Sequence, residues 1–392
     1  MIRCILKQGK EKPLLGRHPW VFSGAIDEID EGFSPGDLVR ILSSNQSFLG
    51  IGYINPESQI AVRVLSFDET PIDRHFFLSR IRQALELRLA MGVLNAKTNA
   101  CRLVHAEGDF LPGLIVDRYD DYLVVQFLTA GIERWKSEIV SALVETLKPK
   151  QIYENTESEF RAKEGLSGES RILSGGGELP DEIEILENGF RFLVHPKGGQ
   201  KTGFFLDQRD NRQLIGALSK GRAVLNAFCY TGAFSVYAAA GGASSVTSVD
   251  TSAPALILAE KHMALNASST QHTAVRRDVF QFLRETSNAF DLLILDPPAF
   301  CKSKSQVDAA CRGYKDINLG AMKIVKPGGY LFTASCSSYL SPDLFQKVVF
   351  AAAKDSGKSV RLLSRTGHAM DHPVSLGHPE GEYLKGLLCQ VI

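Results

Sequence analysis

The stretch Val224-Leu-Asn-Ala-Phe-Cys-Tyr-Thr-Gly-Ala-Phe-Ser235 decides the fold. It reads as a strand that enters a tight turn and leaves as a helix. A turn of this kind lets a ligand approach the backbone closely, and an Ala-rich helix starting at Ala233 packs tightly on a sheet. Outward from it the chain alternates strand and helix: Ala223–Asn226, Ala233–Ala240, Ser245–Val249, Ala253–Asn266, Thr273–Arg276, Val279–Glu285 and Leu292–Leu295. That rhythm predicts an α/β domain with an open, largely parallel sheet. A helix over Tyr314–Ile324, a strand over Gly329–Ala334 and a helix over Pro342–Ser356 continue it. Two terminal strands, Val360–Ser364 and Tyr383–Val391, are compatible with an antiparallel edge.

In such sheets ligands bind at the carboxyl ends of the strands. The candidates for a cofactor site are Asn226, Phe228, Tyr230, Thr231 and Gly232 at the turn, with Asp250 at the end of the next strand. Asp250 has the spacing of an acid that meets ribose hydroxyls, and a carboxylate accepts two such hydrogen bonds unaided. Asp278, after the third strand, is placed to accept from an adenine amino group. The weaker alternative for each acid is a solvent-facing cap, while aromatics such as Tyr230 and Phe234 are more often core residues than ligand contacts. The fourth strand ends Asp291-Leu-Leu-Ile-Leu-Asp296-Pro-Pro298. Four apolar residues deliver Asp296 to the strand's carboxyl end, and two prolines fix an extended exit that suits a planar base. The absence of GxGxxG separates this arrangement from a dehydrogenase.

The first seventy residues carry short apolar runs, Val21–Phe22, Asp37–Leu42, Phe48–Ile54 and Ile60–Ser66, separated by turn residues; they predict a small barrel or sandwich. A helix follows over Pro71–Val93, then strands at Leu114–Val116 and Tyr122–Gln126, a helix over Ile132–Leu147, and strands at Ile152–Asn155, Ile183–Leu186 and Phe190–Val194. Glu164–Pro180, rich in Gly and Ser, reads as a loop or linker. With 392 residues the chain is long enough for two or three domains. Its 44 basic and 44 acidic residues cancel, so bulk charge argues for no nucleic-acid partner, although a local basic face is not excluded. The seven cysteines form no CxxC pair, which points away from zinc and disulfides. No stretch reaches the roughly 18 apolar residues of a membrane span, and the N-terminus has no apolar leader, so a cytoplasmic protein without a membrane partner is expected.

Beyond these patterns, the chain resembles the bacterial 23S rRNA cytosine-C5 methyltransferases that carry an N-terminal PUA domain. The resemblance lies in Gly16-Arg-His-Pro-Trp-Val-Phe-Ser-Gly24, Lys201-Thr-Gly-Phe-Phe-Leu-Asp-Gln-Arg209, Asp296-Pro-Pro-Ala-Phe300, Thr333-Ala-Ser-Cys-Ser337 and His378-Pro-Glu-Gly-Glu-Tyr-Leu-Lys-Gly386. It implies a PUA-like RNA-binding domain (1–70), a central α+β domain (71–185) and a Rossmann-like class I methyltransferase domain using S-adenosylmethionine (186–392). It further implies that Lys201–Arg209 closes over the cofactor, with Phe204 and Asp207 beside it, and that 23S rRNA is the partner, free or in an assembly intermediate.

Carbon 5 of cytosine is a poor nucleophile, and a thiolate added at carbon 6 makes it enamine-like. Cys336, just past the strand Gly329–Ala334, is the candidate thiol, with Asp296 beside the same base; an inert buried cysteine is the plain alternative. Cys301 lies beyond the position directly after Asp-Pro-Pro and is not equated with a second catalytic thiol, and Cys229 has a weaker claim. Lys302, Lys304 and Arg312, with Lys315, Lys323 and Lys326, form either a phosphate-facing patch or a solvated loop and helix. Arg17, His18 and Trp20 either contact RNA or, for Trp20, fill the small barrel. Two other functions stay open: direct methylation of a base amino group, and a non-catalytic rRNA-binding assembly factor. A homodimer is compatible with the composition.

Overall fold

Runs of branched and aromatic residues alternating with turn residues form strands throughout the first 188 residues. The computed structural model describes residues 1–199, 202–267, 269–287 and 289–392. Lys201, at the start of the expected cofactor-closing segment, lies outside the described residues. The chain forms two compact units, one of Met1–Asn188, Val194–Leu206 and Met370–Gly381, the other of Gly189–Leu193, Asp207–Ala369 and Glu382–Ile392.

In the first unit, β1 (Ile2–Leu6), β2 (Trp20–Phe22), β3 (Ile26–Ile29), β4 (Leu38–Leu42), β5 (Phe48–Ile54) and β6 (Ile60–Ser66) make a six-stranded sheet in the order β2-β6-β5-β4-β1-β3. Cys4, Leu6, Val39, Ile41, Val62 and Val64 form its core. The short helix α1 (Lys12–Leu15), β1 and β3 fall outside the apolar runs named above; β3 turns Asp27 and Glu28 to solvent, which hides its pattern.

Helix α2 (Arg74–Ala90) starts where Asp73 accepts the Phe76 N–H at 3.0 Å, a cap worth about 1 kcal/mol, and buries Phe77 and Ile81. A second sheet follows, built from β7 (Ala100–His105), β8 (Leu114–Tyr119), β9 (Tyr122–Phe127), β10 (Gln151–Glu154) and β11 (Arg171–Ser174), in the order β11-β10-β9-β8-β7; α3 (Ala130–Arg134), α4 (Lys136–Leu147) and α5 (Glu159–Lys163) connect its strands. Strand β11 corrects the expectation of a bare loop over Glu164–Pro180. It pairs antiparallel with β10, setting Ile172 opposite Tyr153 and Arg171 opposite Glu154. Nor is Glu164 part of a linker: it is buried, and its carboxylate accepts from Arg63 at 2.8 Å and Asn55 at 2.9 Å. Four strand residues embedded in Gly and Ser are too few for a legible period.

The same unit buries an ion pair. Both terminal nitrogens of Arg88 donate to Asp109, at 2.5 and 2.7 Å, and one also donates to the Asp371 carbonyl at 2.8 Å. Strand β12 (Ile183–Glu187) completes the first stretch of the unit, and the Leu186 carbonyl accepts the Asn99 N–H.

After β13 (Phe190–Val194), the second unit contains α6 (Arg209–Leu218), β14 (Ala223–Ala227), α7 (Ala233–Ala240), β15 (Ser245–Asp250), α8 (Ala253–Asn266), β16 (Gln271–Arg276), α9 (Val279–Glu285), β17 (Phe290–Leu295), α10 (Val307–Ile324), β18 (Val325–Ser335), α11 (Pro342–Ser356), β19 (Val360–Thr366) and β20 (Lys385–Val391). Its seven-stranded sheet has the order β16-β15-β14-β17-β18-β20-β19. The first five strands are parallel, and β20 runs antiparallel to both of its neighbours, which is the antiparallel edge expected from sequence. Strand order reverses between β14 and β17, so their carboxyl ends leave a crevice outside the sheet. Ser252 and Ser341 cap α8 and α11, each with a proline in the first turn. Helix α10 is longer than expected, beginning at Val307, and strand β20 is shorter, so Tyr383 precedes it.

Replacing Arg88 by Met strands the buried Asp109 carboxylate and is expected to cost about 3–5 kcal/mol of stability in urea unfolding. Adding Asp109→Leu should restore part of that loss; equal stability of wild type and Arg88→Met would contradict it.

Candidate active site

Strands β14 and β17 end side by side, with Ala227 paired to Leu295, and β17 in turn pairs Leu295 with Thr333 of β18. Three loops therefore leave the same edge of the second unit: 228–232, the loop starting at Asp296, and the one starting at Cys336. Leu292, Leu293, Ile294 and Leu295 are all fully buried, so the central strand is fixed on both faces.

The first loop is bent at alternate residues. Phe228, Tyr230 and Gly232 have φ of 61°, 46° and 75°. A Cβ on Gly232 would lie 2.7 Å from the Ala259 Cβ, so this position is closed to larger residues. Asp250 stabilises the bend: one carboxylate oxygen accepts the Tyr230 N–H and the other the Ser252 N–H, both at 2.9 Å. The Thr231 carbonyl lies 2.8 Å from Nδ1 of buried His262. Below the loop, Asn226 donates to Ser235 Oγ at 2.9 Å, Ser235 bonds to Ser248 at 2.7 Å, and Ser248 bonds to His272 Nε2 at 2.8 Å. This chain ties β14, α7, β15 and β16 together. Burial lowers the His272 pKa, which keeps the ring neutral at pH 7. Burial, helped by Asp250, pushes the Cys229 thiol far up, so Cys229 is no nucleophile. Asp278 caps α9 by accepting the Gln281 N–H at 2.9 Å.

Asp296 is held by a residue that sequence reasoning left without a role. Gln208 donates to an Asp296 oxygen at 2.8 Å, and Asn211 donates to the Gln208 side-chain oxygen Oε1 at 2.6 Å; both amides are buried. Asp207, next to Gln208, accepts from the Tyr383 hydroxyl at 2.6 Å. Cys336 is half-buried, and its sulfur lies 3.9 Å from the carbonyl oxygen of Pro297, the residue after Asp296. Cys301 is buried and directs its S–H to the Ser303 carbonyl, while its N–H donates to Ser337 Oγ. Lys385 was missed as well. It is buried, and it donates to the carbonyls of Ser337 and Leu340.

Lys302, Lys304 and Arg312 are exposed, the first two in the loop before α10 and the third on it. Two of the other basic residues are matched by acids: Lys315 with Asp355 and Lys326 with Asp291. Phe204 is buried in the first unit. Arg17, in the same unit, is exposed, with its guanidinium over the Phe67 ring. Trp20 is not in the core of the six-stranded sheet. Its indole N–H donates to Glu107 at 2.8 Å, its ring packs edge-on against His378, and His18 reaches Glu380 at 3.3 Å.

Comparison with known proteins adds to this geometry. Residues 4–67 match the model of a PUA-like domain and residues 159–373 that of an S-adenosylmethionine-dependent methyltransferase. Proteins named ribosomal RNA large subunit methyltransferase I match from end to end: that of Pseudoalteromonas translucida is 46% identical over 98% of each chain, and that of Photobacterium profundum 45% identical over 98% of each. The chain belongs to the ribosomal RNA large subunit methyltransferase I family. Among solved structures, a candidate S-adenosylmethionine-dependent methyltransferase from Streptococcus mutans superposes with a TM-score of 0.85 at 25% identity, covering all of both chains. Another candidate methyltransferase, solved with S-adenosylhomocysteine, gives 0.86 at 26% identity over the same coverage.

The family and fold class expected from sequence are thereby borne out, and this member is an S-adenosylmethionine-dependent methyltransferase with an N-terminal PUA-like domain. The second unit fits that cofactor. The carboxamide oxygen of Asn226, at the root of its first loop, is buried without a hydrogen-bond partner. Among the described residues no helix is long and apolar enough to cross a membrane.

Gly232→Ala combines a positive φ with a clash against α8. It should lower stability by about 2–4 kcal/mol and weaken S-adenosylhomocysteine binding in calorimetry; unchanged affinity would contradict the reading of this turn.

Proposed function

We propose that the enzyme methylates carbon 5 of one cytosine in 23S ribosomal RNA through a covalent bond between Cys336 and carbon 6 of the base. The observation that carries this reading is the approach of the Cys336 sulfur to the Pro297 carbonyl, one residue past Asp296, at the carboxyl edge of the sheet. A thiol and a carboxylate on adjacent parallel strands can flank one flat ring.

When bound, S-adenosylmethionine supplies an electrophilic sulfonium methyl group to carbon 5. Asn226, Phe228, Tyr230, Thr231 and Gly232 are assigned to hold it, with Asp250 on the ribose hydroxyls and Asp278 on the adenine amino group. Each Asp250 oxygen takes one backbone N–H and keeps a second lone pair for a hydroxyl. Asp207 is assigned to the same cofactor on the strength of the family motif. Asp296, oriented by Gln208, accepts from the cytosine amino group or shares a proton at ring nitrogen 3, which favours thiolate addition. The addition forms the sulfur–carbon 6 bond. After methylation, loss of the carbon-5 proton breaks that bond and returns the electron pair to sulfur.

A base in rRNA must leave its stack to enter such a site, which favours free rRNA or an assembly intermediate as substrate. Lys302, Lys304 and Arg312 are the cations assigned to its phosphates, being exposed on the loop and helix that follow the Asp296 motif. In the division 1–70, 71–185 and 186–392, the first two parts serve RNA binding. Arg17, His18 and Trp20 form the assigned RNA-facing corner, with His18 and Trp20 buttressed by Glu380 and Glu107. The cytoplasm is the compartment proposed from this substrate.

Cys336→Ala should reduce 5-methylcytosine formation on 23S rRNA roughly a thousandfold or more while leaving S-adenosylhomocysteine binding intact, read by mass mapping of the product and by calorimetry. An undiminished rate, or a methylated amino group in place of 5-methylcytosine, would overturn the proposal.

A further inference from the structure

We propose that Lys385 is the cation that keeps the Cys336 sulfur ionised at neutral pH. The inference rests on the reading of Cys336 as the nucleophile and names the group that activates it. Strand β20 reads Lys385-Gly-Leu-Leu-Cys-Gln-Val391, and a lysine within this run is an anomaly that burial makes expensive. Lys385 is only 5% exposed. It pairs in register with Ser335, the residue before Cys336, and its Nζ donates to the carbonyl of Ser337, the residue after it, at 2.7 Å. A second donation, to the Leu340 carbonyl at 2.6 Å, clamps the ammonium under the turn that carries the thiol. These two carbonyls use two of the three N–H bonds of an ammonium group.

A neutral amide would tie the same two carbonyls without the desolvation cost of a charge, so a purely structural role leaves the choice of lysine unexplained. The groups facing Lys385 are the sulfurs of Cys336 and Cys301 and the carboxylate of Glu382; Tyr314, whose hydroxyl bonds Ser337 Oγ, faces Cys336. Burial draws the Lys385 ammonium down to about 8 against the pull of Cys336, Glu382 and Cys301, so it is still charged at neutral pH. Burial holds Tyr314 up at about 12, so its phenol remains protonated there. The Cys336 thiol releases its proton to water, and the thiolate that remains is stabilised by the Lys385 ammonium, which stays charged throughout. The thiolate pair then bonds to carbon 6. When that bond breaks, the pair returns to a sulfur already facing the same cation, and the carbon-5 proton leaves to water.

The test is the rate of iodoacetamide alkylation at Cys336 as a function of pH, read by peptide mass spectrometry on the full-length protein, with half-buried Cys311 as the internal reference. In the wild type the Cys336 profile should have its midpoint at least about one unit below the ordinary thiol value of about 8.5. Lys385→Met should return the midpoint to or above that value and slow alkylation at neutral pH about tenfold, leaving Cys311 unchanged. Lys385→Arg should keep most of the shift, and the acid limb of the methylation pH profile should move with the alkylation midpoint. A wild-type midpoint at or above the ordinary value overturns the proposal even if the Met variant does not fold. So does a Met variant that loses methylation with its alkylation profile unchanged, since that is the mark of a structural tie. A Cys336→Ala protein that still methylates would remove the nucleophile but leave the alkylation result standing, so the two failures are distinguishable.

Discussion

The parallel pairing of β17 with β14 on one side and β18 on the other is the constraint from which the site follows. Four fully buried apolar side chains lock β17 in the middle of the sheet. Register then sets Ala227, Leu295 and Thr333 in line, and the three loops beyond them have to converge. A slip of one residue would carry Asp296 about 3.3 Å along the strand, away from the turn on one side and the thiol on the other. The chemistry therefore depends on hydrophobic burial in one strand more than on any contact among the polar residues themselves.

Around that frame the polar groups are held by side chains from distant parts of the chain. Gln208 and Asn211 set the Asp296 carboxylate, Asp250 sets the turn at Tyr230, and Lys385 sets the turn after Cys336. Each is an amide, a carboxylate or an ammonium whose bonds go largely to one loop. Such supports hold a reacting group within a fraction of an ångström, which is what a covalent step on a flat ring requires. The Asn226–Ser235–Ser248–His272 chain does the same for the root of the cofactor loop, at the cost of polar groups in the interior of the sheet.

The α/β half was legible because buried parallel strands read as apolar runs and its helices begin at recognisable caps, Ser252, Asp278 and Ser341. Strands β1, β3, β7 and β11 were not, since they are short or partly exposed and take their pattern from partners far away in sequence. The Asp296 and Cys336 loops could be read from strand ends. The supports could not: Gln208 lies 88 residues from Asp296 and Lys385 lies 48 from Ser337, beyond any local period. One signal was present in the sequence, a lysine inside the apolar terminal strand. Trp20 shows the opposite case, in which the two readings open at that position were RNA contact and barrel filling, and the structure gives its indole to Glu107 and His378.

The central claim is that the Cys336 sulfur bonds to the target ring. It is tested most directly by incubating the enzyme and S-adenosylmethionine with a large-subunit rRNA fragment containing 5-fluorocytidine, in which fluorine replaces the proton whose loss releases the thiol. The account predicts a denaturant-resistant protein–RNA adduct whose digestion maps the nucleotide to the peptide carrying Cys336. Absence of an adduct with methylation of ordinary RNA intact, or an adduct mapped to another cysteine, would contradict it.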